Sequence, residues 1–363
     1  MSAEQTIDAV IAGVADLDYA PTFINDRASD VRDVLIPSAT ILMGELKIHP
    51  GGCVSNTGLA MARFGMNVRL IGKIGNDESG RILSDFYRKY TTLDSMIFSE
   101  TEGTSYSIVV APEGIDRFFL HFPGGNDTFG ADDIDYELVK KARLFHFGYP
   151  PVMRRFRSNN GAELAEMFRR VHEAGVVSSL DTCGIDEGSE AGRLDWMAIL
   201  RNTLPHVDLF VPSAEETSFI FKRSLDTPEA LSETAKDAME MGAAIVMIKC
   251  GSRGLYLAAA DKERLEKIPG ELKKTLLPWA GRSAFIPVFV PDRILSANGA
   301  GDTCIAAFLS AILKGWTFEK CADIAAAAGA ACCEHYDIVE TLPNLKELKE
   351  RIENGWKRGA GIN

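Results

Sequence analysis

The sequence predicts an α/β fold: a large, mostly parallel sheet with helices packed on it and a small β lid at its side. Three observations predict it. From about residue 138 onward, short apolar runs alternate with amphipathic helical stretches, the rhythm of βαβ units. Two strand-rich segments, about 20–50 and 103–123, interrupt that rhythm and are placed to pair with each other as a separate sheet. The 363 residues, 46% hydrophobic and 25% charged, are enough to bury a sizeable core, and no repeat or low-complexity linker divides them. The chain 1–363 therefore reads as one large domain with a lid.

The elements follow in order. Val10 to Gly13 is a short apolar run ending in glycine, a first strand. The pattern loosens from Asp18 to Lys47, and Ile41 to Ile48 then alternates with strand period. Ser55 to Phe64 has helical spacing and is closed by Gly65. Val68–Ile71 is a strand and Glu78–Tyr90 an amphipathic helix. Thr104–Val110 and Arg117–Phe122 flank Pro112-Glu-Gly114, a hairpin signal. Strands are predicted at 144–147, 176–180, 209–211, 244–248 and 254–259. Helices are predicted at 162–174, 194–204, 215–221, 228–241, 301–313, 318–335 and 345–353.

Composition excludes several classes. A formal net charge of −12 argues against nucleic acid as a partner, because phosphate backbones demand a basic face. Seven cysteines, an odd number with no C-x-x-C pair, read as reduced thiols of an intracellular, cytoplasmic protein. The six histidines show no metal-ligand spacing. Met1 to Val10 lacks the charged-then-apolar pattern of a signal peptide, and no apolar run is long enough to span a bilayer.

Ligands of open α/β sheets sit beyond the carboxyl ends of the strands, so the chemistry is sought in those loops. Leu295-Ser-Ala-Asn-Gly-Ala-Gly-Asp302 is a polar, glycine-rich turn running into a helix. The N–H groups of Gly299, Ala300 and Gly301, with the positive end of the helix dipole, form an anion hole. Asp302 at its rim can take a proton from an attacking hydroxyl. Taken alone, the same residues also read as a helix N-cap. Gly51-Gly52-Cys-Val-Ser-Asn56 lets a ligand approach the backbone, and Asn56 offers both a donor and an acceptor to a polyol. A plain turn before a helix accounts for it equally. Asp16 or Asp18, after the first strand, could accept from hydroxyls or stand in a solvated loop.

Together these motifs resemble the ribokinase-like (PfkB) family of carbohydrate kinases over nearly the whole length. Gly51-Gly52 with Asn56, and Gly72-x-x-Gly75-x-Asp77-x-x-Gly80, are similar to the family's N-terminal signature. Gly299-Ala-Gly-Asp302, about 245 residues downstream, is similar to its C-terminal one. The resemblance implies a three-layer fold and an ATP- and Mg²⁺-dependent kinase acting on a sugar-like hydroxyl. It makes Asp302 the catalytic base, Gly299, Ala300 and Gly301 the anion hole, and Asp18, Gly51, Gly52 and Asn56 the substrate contacts. It puts the nucleotide-binding part at about 209–340. There Ser213 and Glu216 stand where N-x-x-E is usual, with Glu216 tied to the metal. Lys249, Gly251 and Gly254 stand where T-x-G-x-x-G is usual, with Lys249 replacing threonine. The stretch Ile324–Cys333 would cover the adenine. The resemblance also implies a homodimer through the lid.

Two features depart from the pattern. Ser296 stands where the family carries an aspartate that helps hold a monovalent cation, so weak or no potassium dependence is expected, unless another carboxylate such as Asp292 reaches the site from a neighbouring strand. The stretch 261–285 is long, charged and then apolar around Trp279, and reads as a surface insertion or a partner contact. Among other functions, a nicotinamide dehydrogenase needs G-x-G-x-x-G after the first strand and a P-loop NTPase needs G-x-x-x-x-G-K-[ST], and neither is present. A nucleoside kinase of the same fold stays open. A non-catalytic sugar-binding regulator would be expected to lose Asp302 or its glycines.

Overall fold

Continuous apolar runs are what strands buried on both faces require, and they build the central sheet of this chain. The computed structural model describes residues 6–24, 30–114, 117–335 and 341–362. Parts of the lid (25–29 and 115–116) and the end of the nucleotide-binding part (336–340) lie outside the described residues. The strands are β1 (Ile7–Gly13), β2 (Asp16–Phe23), β3 (Met43–Gly51), β4 (Val68–Ile71), β5 (Lys73–Gly75), β6 (Ile97–Ser99), β7 (Tyr106–Val110), β8 (Phe118–Phe122), β9 (Ala142–Gly148), β10 (Val177–Leu180), β11 (Leu209–Phe210), β12 (Ile245–Lys249), β13 (Gly254–Ala259) and β14 (Ser283–Pro287). The helices of eight or more residues are α1 (Gly52–Arg63), α2 (Glu78–Arg88), α3 (Ala162–Glu173), α4 (Trp196–Thr203), α5 (Ala214–Phe221), α6 (Pro228–Glu240), α7 (Ala300–Leu313), α8 (Phe318–Cys332) and α9 (Leu345–Glu353).

Eight strands form the main sheet in the order β14-β13-β12-β11-β10-β9-β1-β4. The run from β4 to β12 is parallel; β13 is antiparallel to both its neighbours. The chain leaves β1 toward β4 on one side and later places β9 on the other. That reversal is a topological switch point, where open α/β sheets bind ligands. Gly13 and Gly148 lie in register there, at the carboxyl ends of β1 and β9.

Helix α7 is apolar all round, and such a helix must be buried. Every residue from Asp302 to Leu313 is buried, and α7 packs against α1 and α8. The mouth of α7 is thereby fixed beside the start of α1, beyond the ends of the strands.

The lid is a four-stranded sheet, β3-β2-β7-β8. Strand β2 is antiparallel to β3 and parallel to β7, so the two segments about 20–50 and 103–123 meet in one sheet. Strand β2 occupies part of the stretch where the sequence pattern loosened. It begins right after β1 and carries Asp16 and Asp18 from the main sheet into the lid. The pair β5-β6 was not foreseen, because three-residue strands carry no legible periodicity.

In the stretch 261–285 the apolar side chains turn inward and the charged ones stay at the surface. Trp279 is buried and packs on Phe308 and Phe318, and β14 completes the sheet edge. Lys262, Glu263, Arg264, Lys273 and Lys274 belong to the two short helical turns at Lys262–Leu265 and Lys273–Leu276, whose apolar residues Leu265 and Leu276 face inward. Among the described residues no helix is long and apolar enough to cross a membrane.

Candidate active site

Helix α7 begins at Ala300 with Gly299 as its N-cap, at φ 69°. That left-handed conformation favours glycine, which alone lacks a Cβ to clash there. Asp302 is the third helical residue rather than the cap. Its carboxylate is directed at groups from other elements: Tyr149 Oη donates to Oδ2 at 2.7 Å, Asn56 Nδ2 to Oδ2 at 3.2 Å and Thr57 Oγ1 to Oδ1 at 3.3 Å. Asp302 is buried, and burial pushes its carboxyl above the ordinary value; Tyr149, Lys249, Asn56 and Thr57 pull it back toward the ionised form. Of the three N–H groups expected to form the anion hole, that of Ala300 turns back on the Ala297 carbonyl at 3.3 Å. The first turn of a helix leaves N–H groups without helical acceptors, so those of Gly299 and Gly301 are the candidates left for that role.

The glycine pair of the N-terminal motif lies at a junction. Gly51 ends β3 and Gly52 opens α1, three residues earlier than the helical spacing indicated. Gly52 has φ 77°, and a Cβ there would lie 2.3 Å from the Val14 carbonyl oxygen, so no other residue fits. A Cβ on Gly51 would lie 2.9 Å from Asp18 Oδ2, which places this backbone directly on that carboxylate.

The two lid carboxylates differ in their surroundings. Asp16 is buried and accepts from Ser105 Oγ at 3.0 Å, Ser107 Oγ at 2.9 Å and the Leu17 N–H at 3.0 Å. Its acceptor sites are taken up by the lid itself. Asp18 is only partly buried and lines a cavity of about 450 Å³ together with His49, Asn56, Leu59, Arg117 and Asn298. Burial and the neighbouring Asp16 push Asp18 up to about 7. Asn56 belongs to both sites, since it lines the cavity and touches Asp302.

On the other side of Asp302, Lys249 ends β12 and its ammonium donates to Asp181 Oδ1 at 2.6 Å and to the Val211 carbonyl at 2.7 Å. Both partners of this ion pair are nearly inaccessible. Burial pushes the Lys249 ammonium down, but Asp181 and Glu216 outweigh it and hold it above the ordinary lysine value. A Cβ on Gly301 would lie 3.6 Å from Lys249 Cε, so the lysine stem runs beside the first turn of α7. Gly251 opens a turn after β12 and Gly254 starts β13 beside it.

Ser213 and Glu216 form a capping box at the start of α5. Glu216 Oε2 accepts from the Ser213 N–H at 2.8 Å and from Thr182 Oγ1 at 2.7 Å, which makes the motif structural at that oxygen. Among the described residues no group of three His, Cys, Asp or Glu side chains could hold a metal by itself. Ser296 Oγ accepts from the Asn298 N–H, and Asp292 is exposed and paired with Arg351, so it does not replace the missing aspartate.

Sequence reading missed Thr57, Tyr149 and Asp181. Thr57 adjoins Asn56 and was within reach of the same argument. Tyr149 and Asp181 follow apolar strands with no motif around them, and only the sheet order brings them to Asp302 and Lys249.

With this geometry in hand, comparison with known proteins decides the family. The model of the pfkB family carbohydrate kinases matches residues 22–345. The chain belongs to the pfkB family of carbohydrate kinases. An uncharacterized sugar kinase of Archaeoglobus fulgidus is 30% identical over 289 residues, 78% of this chain and 98% of that protein. A 5-dehydro-2-deoxygluconokinase of Clostridium perfringens is 22% identical over 359 residues, 96% of this chain and 94% of that one. The ribokinase of Arabidopsis thaliana, solved with ribose and ATP, superposes with a TM-score of 0.73 at 20% identity, over 95% of this chain and 98% of that chain. A putative ribokinase II of E. coli with ATP and Mg²⁺ gives 0.73 at 18% identity, over 96% and 99%. Their likeness shows the ribokinase-like fold, and the family makes the chain a sugar kinase, a phosphotransferase.

Removing one partner of a buried ion pair strands the other charge. Lys249→Met is therefore expected to lower unfolding free energy by about 3–5 kcal/mol, and the double change Lys249→Met with Asp181→Leu to recover most of it. Denaturant titration of the three proteins measures this; a single variant within about 1 kcal/mol of wild type would mean that Asp181 is already uncharged.

Proposed function

We propose that this kinase transfers the γ-phosphoryl group of ATP to a hydroxyl of a sugar or sugar acid held in the cavity under the lid, with Asp302 as the base. The observation that carries this reading is the double position of Asn56, on the cavity wall and on Asp302. It puts a buried carboxylate, at the mouth of an anion-binding helix, next to the space an acceptor would occupy. Asp18, Gly51, Gly52 and Asn56 bind and orient the acceptor. Its hydroxyl oxygen bonds to the γ-phosphorus while the bond from that phosphorus to the β–γ bridging oxygen breaks. ADP leaves, and the hydroxyl proton passes to Asp302 and then to solvent. The N–H groups of Gly299 and Gly301 meet the charge on the transferring group.

The loop Lys249–Gly254, with Ser213 and α8, lines the nucleotide side in this reading. Magnesium neutralises phosphate charge when bound, and it usually keeps several waters and few protein ligands. Glu216 suits such a site, because Ser213 and Thr182 occupy only one of its carboxylate oxygens.

The test is a phosphorylation panel with MgATP over ketoses, aldoses, sugar acids and nucleosides, run with Asp302→Asn alongside. A base in hydrogen-bond reach of the attacking hydroxyl contributes roughly 10²–10⁴-fold, so Asp302→Asn should lower kcat by that order while leaving ATP affinity intact. Turnover within about threefold of wild type would remove Asp302 from the role. Nucleosides outperforming every sugar would move the acceptor class instead.

The monovalent-cation expectation stands on Ser296, a neutral oxygen engaged by the Asn298 N–H. Initial rates at constant ionic strength in potassium and in tetramethylammonium should agree within about threefold, since hard cations favour charged or carbonyl oxygens. A tenfold potassium activation, roughly, would show that loop carbonyls suffice.

The outer face of the lid carries exposed Leu46, Leu120 and Phe122 beside partly exposed Tyr19 and Ile108. An apolar sheet face of this kind is covered by a partner, and a second copy of the chain is the occupant in this reading. Sedimentation at micromolar concentration should give a dimer that Leu120→Asp dissociates; a monomeric wild type would refute it.

A further inference from the structure

Tyr149 is placed by strain. It follows Gly148 at the end of β9 with φ 70° and ψ 37°, a left-handed conformation that is disfavoured for a bulky side chain. Pro150 follows it and restricts it further, since a residue before proline is pushed out of the right-handed helical region. Strain of this kind persists where the surrounding structure demands it, and it gathers at functional sites. Here the conformation delivers the hydroxyl to Asp302 Oδ2 at 2.7 Å, the shortest bond that carboxylate makes.

The donors divide unequally between the two carboxylate oxygens. Oδ2 accepts from both Tyr149 and Asn56, whereas among the described residues Oδ1 accepts only the long bond from Thr57. Resting on the reading of Asp302 as base, we propose that Tyr149 is a positioning residue that locks the Asp302 carboxylate in place, holds it ionised, and leaves Oδ1 as the oxygen that takes the acceptor's proton. Its own hydroxyl stays protonated, because burial and then the nearby Asp302 charge hold it well above the ordinary tyrosine value. It therefore acts as a donor and not as a second base.

The groups that bear on the titration of Asp302 come from five elements. They are Cys53, Asn56 and Thr57 of α1, Tyr149 after β9, Asp181 after β10, Lys249 at the end of β12, and Cys332 of α8. Lys249 favours the carboxylate and Asp181 opposes it, so the neutral donors weigh heavily in the balance. Loss of the Tyr149 donor destabilises the ionised form, raises the Asp302 pKa, and moves the acid limb of kcat/KM to higher pH.

Tyr149→Phe keeps the ring and removes only the donor. With MgATP and the acceptor of highest turnover in the panel, kcat should fall by about 10- to 100-fold, the worth of a hydrogen bond to a charged group. The acid limb should move up by about one pH unit or more, while ATP affinity and the thermal unfolding midpoint hold. Tyr149→Gln, which retains an N–H donor, should recover part of the rate. In an Asp302→Asn background the Phe change should have little further effect, because its partner is already lost. An unmoved acid limb, or a loss of equal size in that background, would overturn the role of Tyr149. Wild-type turnover by Asp302→Asn alone would instead overturn the assignment of the base, so the two failures are told apart.

Discussion

The site turns on one buried carboxylate, Asp302, and on the hydrogen bonds that offset the cost of burying its charge. Burial of Asp302 opposes its charge. The fold answers with neutral donors rather than with a direct ion pair. Asn56 and Thr57 come from the first turns of α1, Tyr149 from the end of β9, and the Lys249 charge stands one step away on Asp181. An ammonium bonded directly to Asp302 would hold the charge more firmly but would also lower its appetite for a proton.

That solution fixes the architecture around it. Helix α7 must end its apolar body at the site, so its mouth is a glycine turn and its remainder is sunk between α1 and α8. Helix α1 must start tight against the strand ends, which is why Gly52 meets the Val14 carbonyl so closely. The order of the strands then matters more than their number. The reversal at β1 opens the crevice into which α1, α7 and the turn after β9 all converge. The lid joins through β2, a direct continuation of β1, so Asp18 belongs to the lid while Asp302 belongs to a helix packed on the main sheet.

Long-period features were legible in the residues themselves. The alternation of strands and helices, the two glycine motifs and the apolar identity of α7 are local in the chain, because periodicity and turn chemistry are local properties. They sufficed for the fold class and the family, and they singled out Asp302 and the glycines around it as candidates. The same locality limits what such motifs say about their surroundings. The charged turns of 261–285 read as surface because solvent-facing lysines and glutamates are dense there, while the burial of Trp279 arises from Phe308 and Phe318, distant in sequence. Ser213 and Glu216 have the spacing of a ligand motif and also of a capping box; the box is formed, and it engages one carboxylate oxygen of Glu216.

The sequence by itself determined which side chains are available for chemistry and which elements carry them, since propensity, glycine placement and hydrophobic period act over a few residues. Only the tertiary structure decided what those side chains face. Tyr149 reaches Asp302 across 153 positions and Asn56 reaches it across 246. Lys249 finds Asp181 across 68. Such pairings follow from strand order and helix packing, where burial of apolar surface is nondirectional and leaves no mark on the polar residues it brings together.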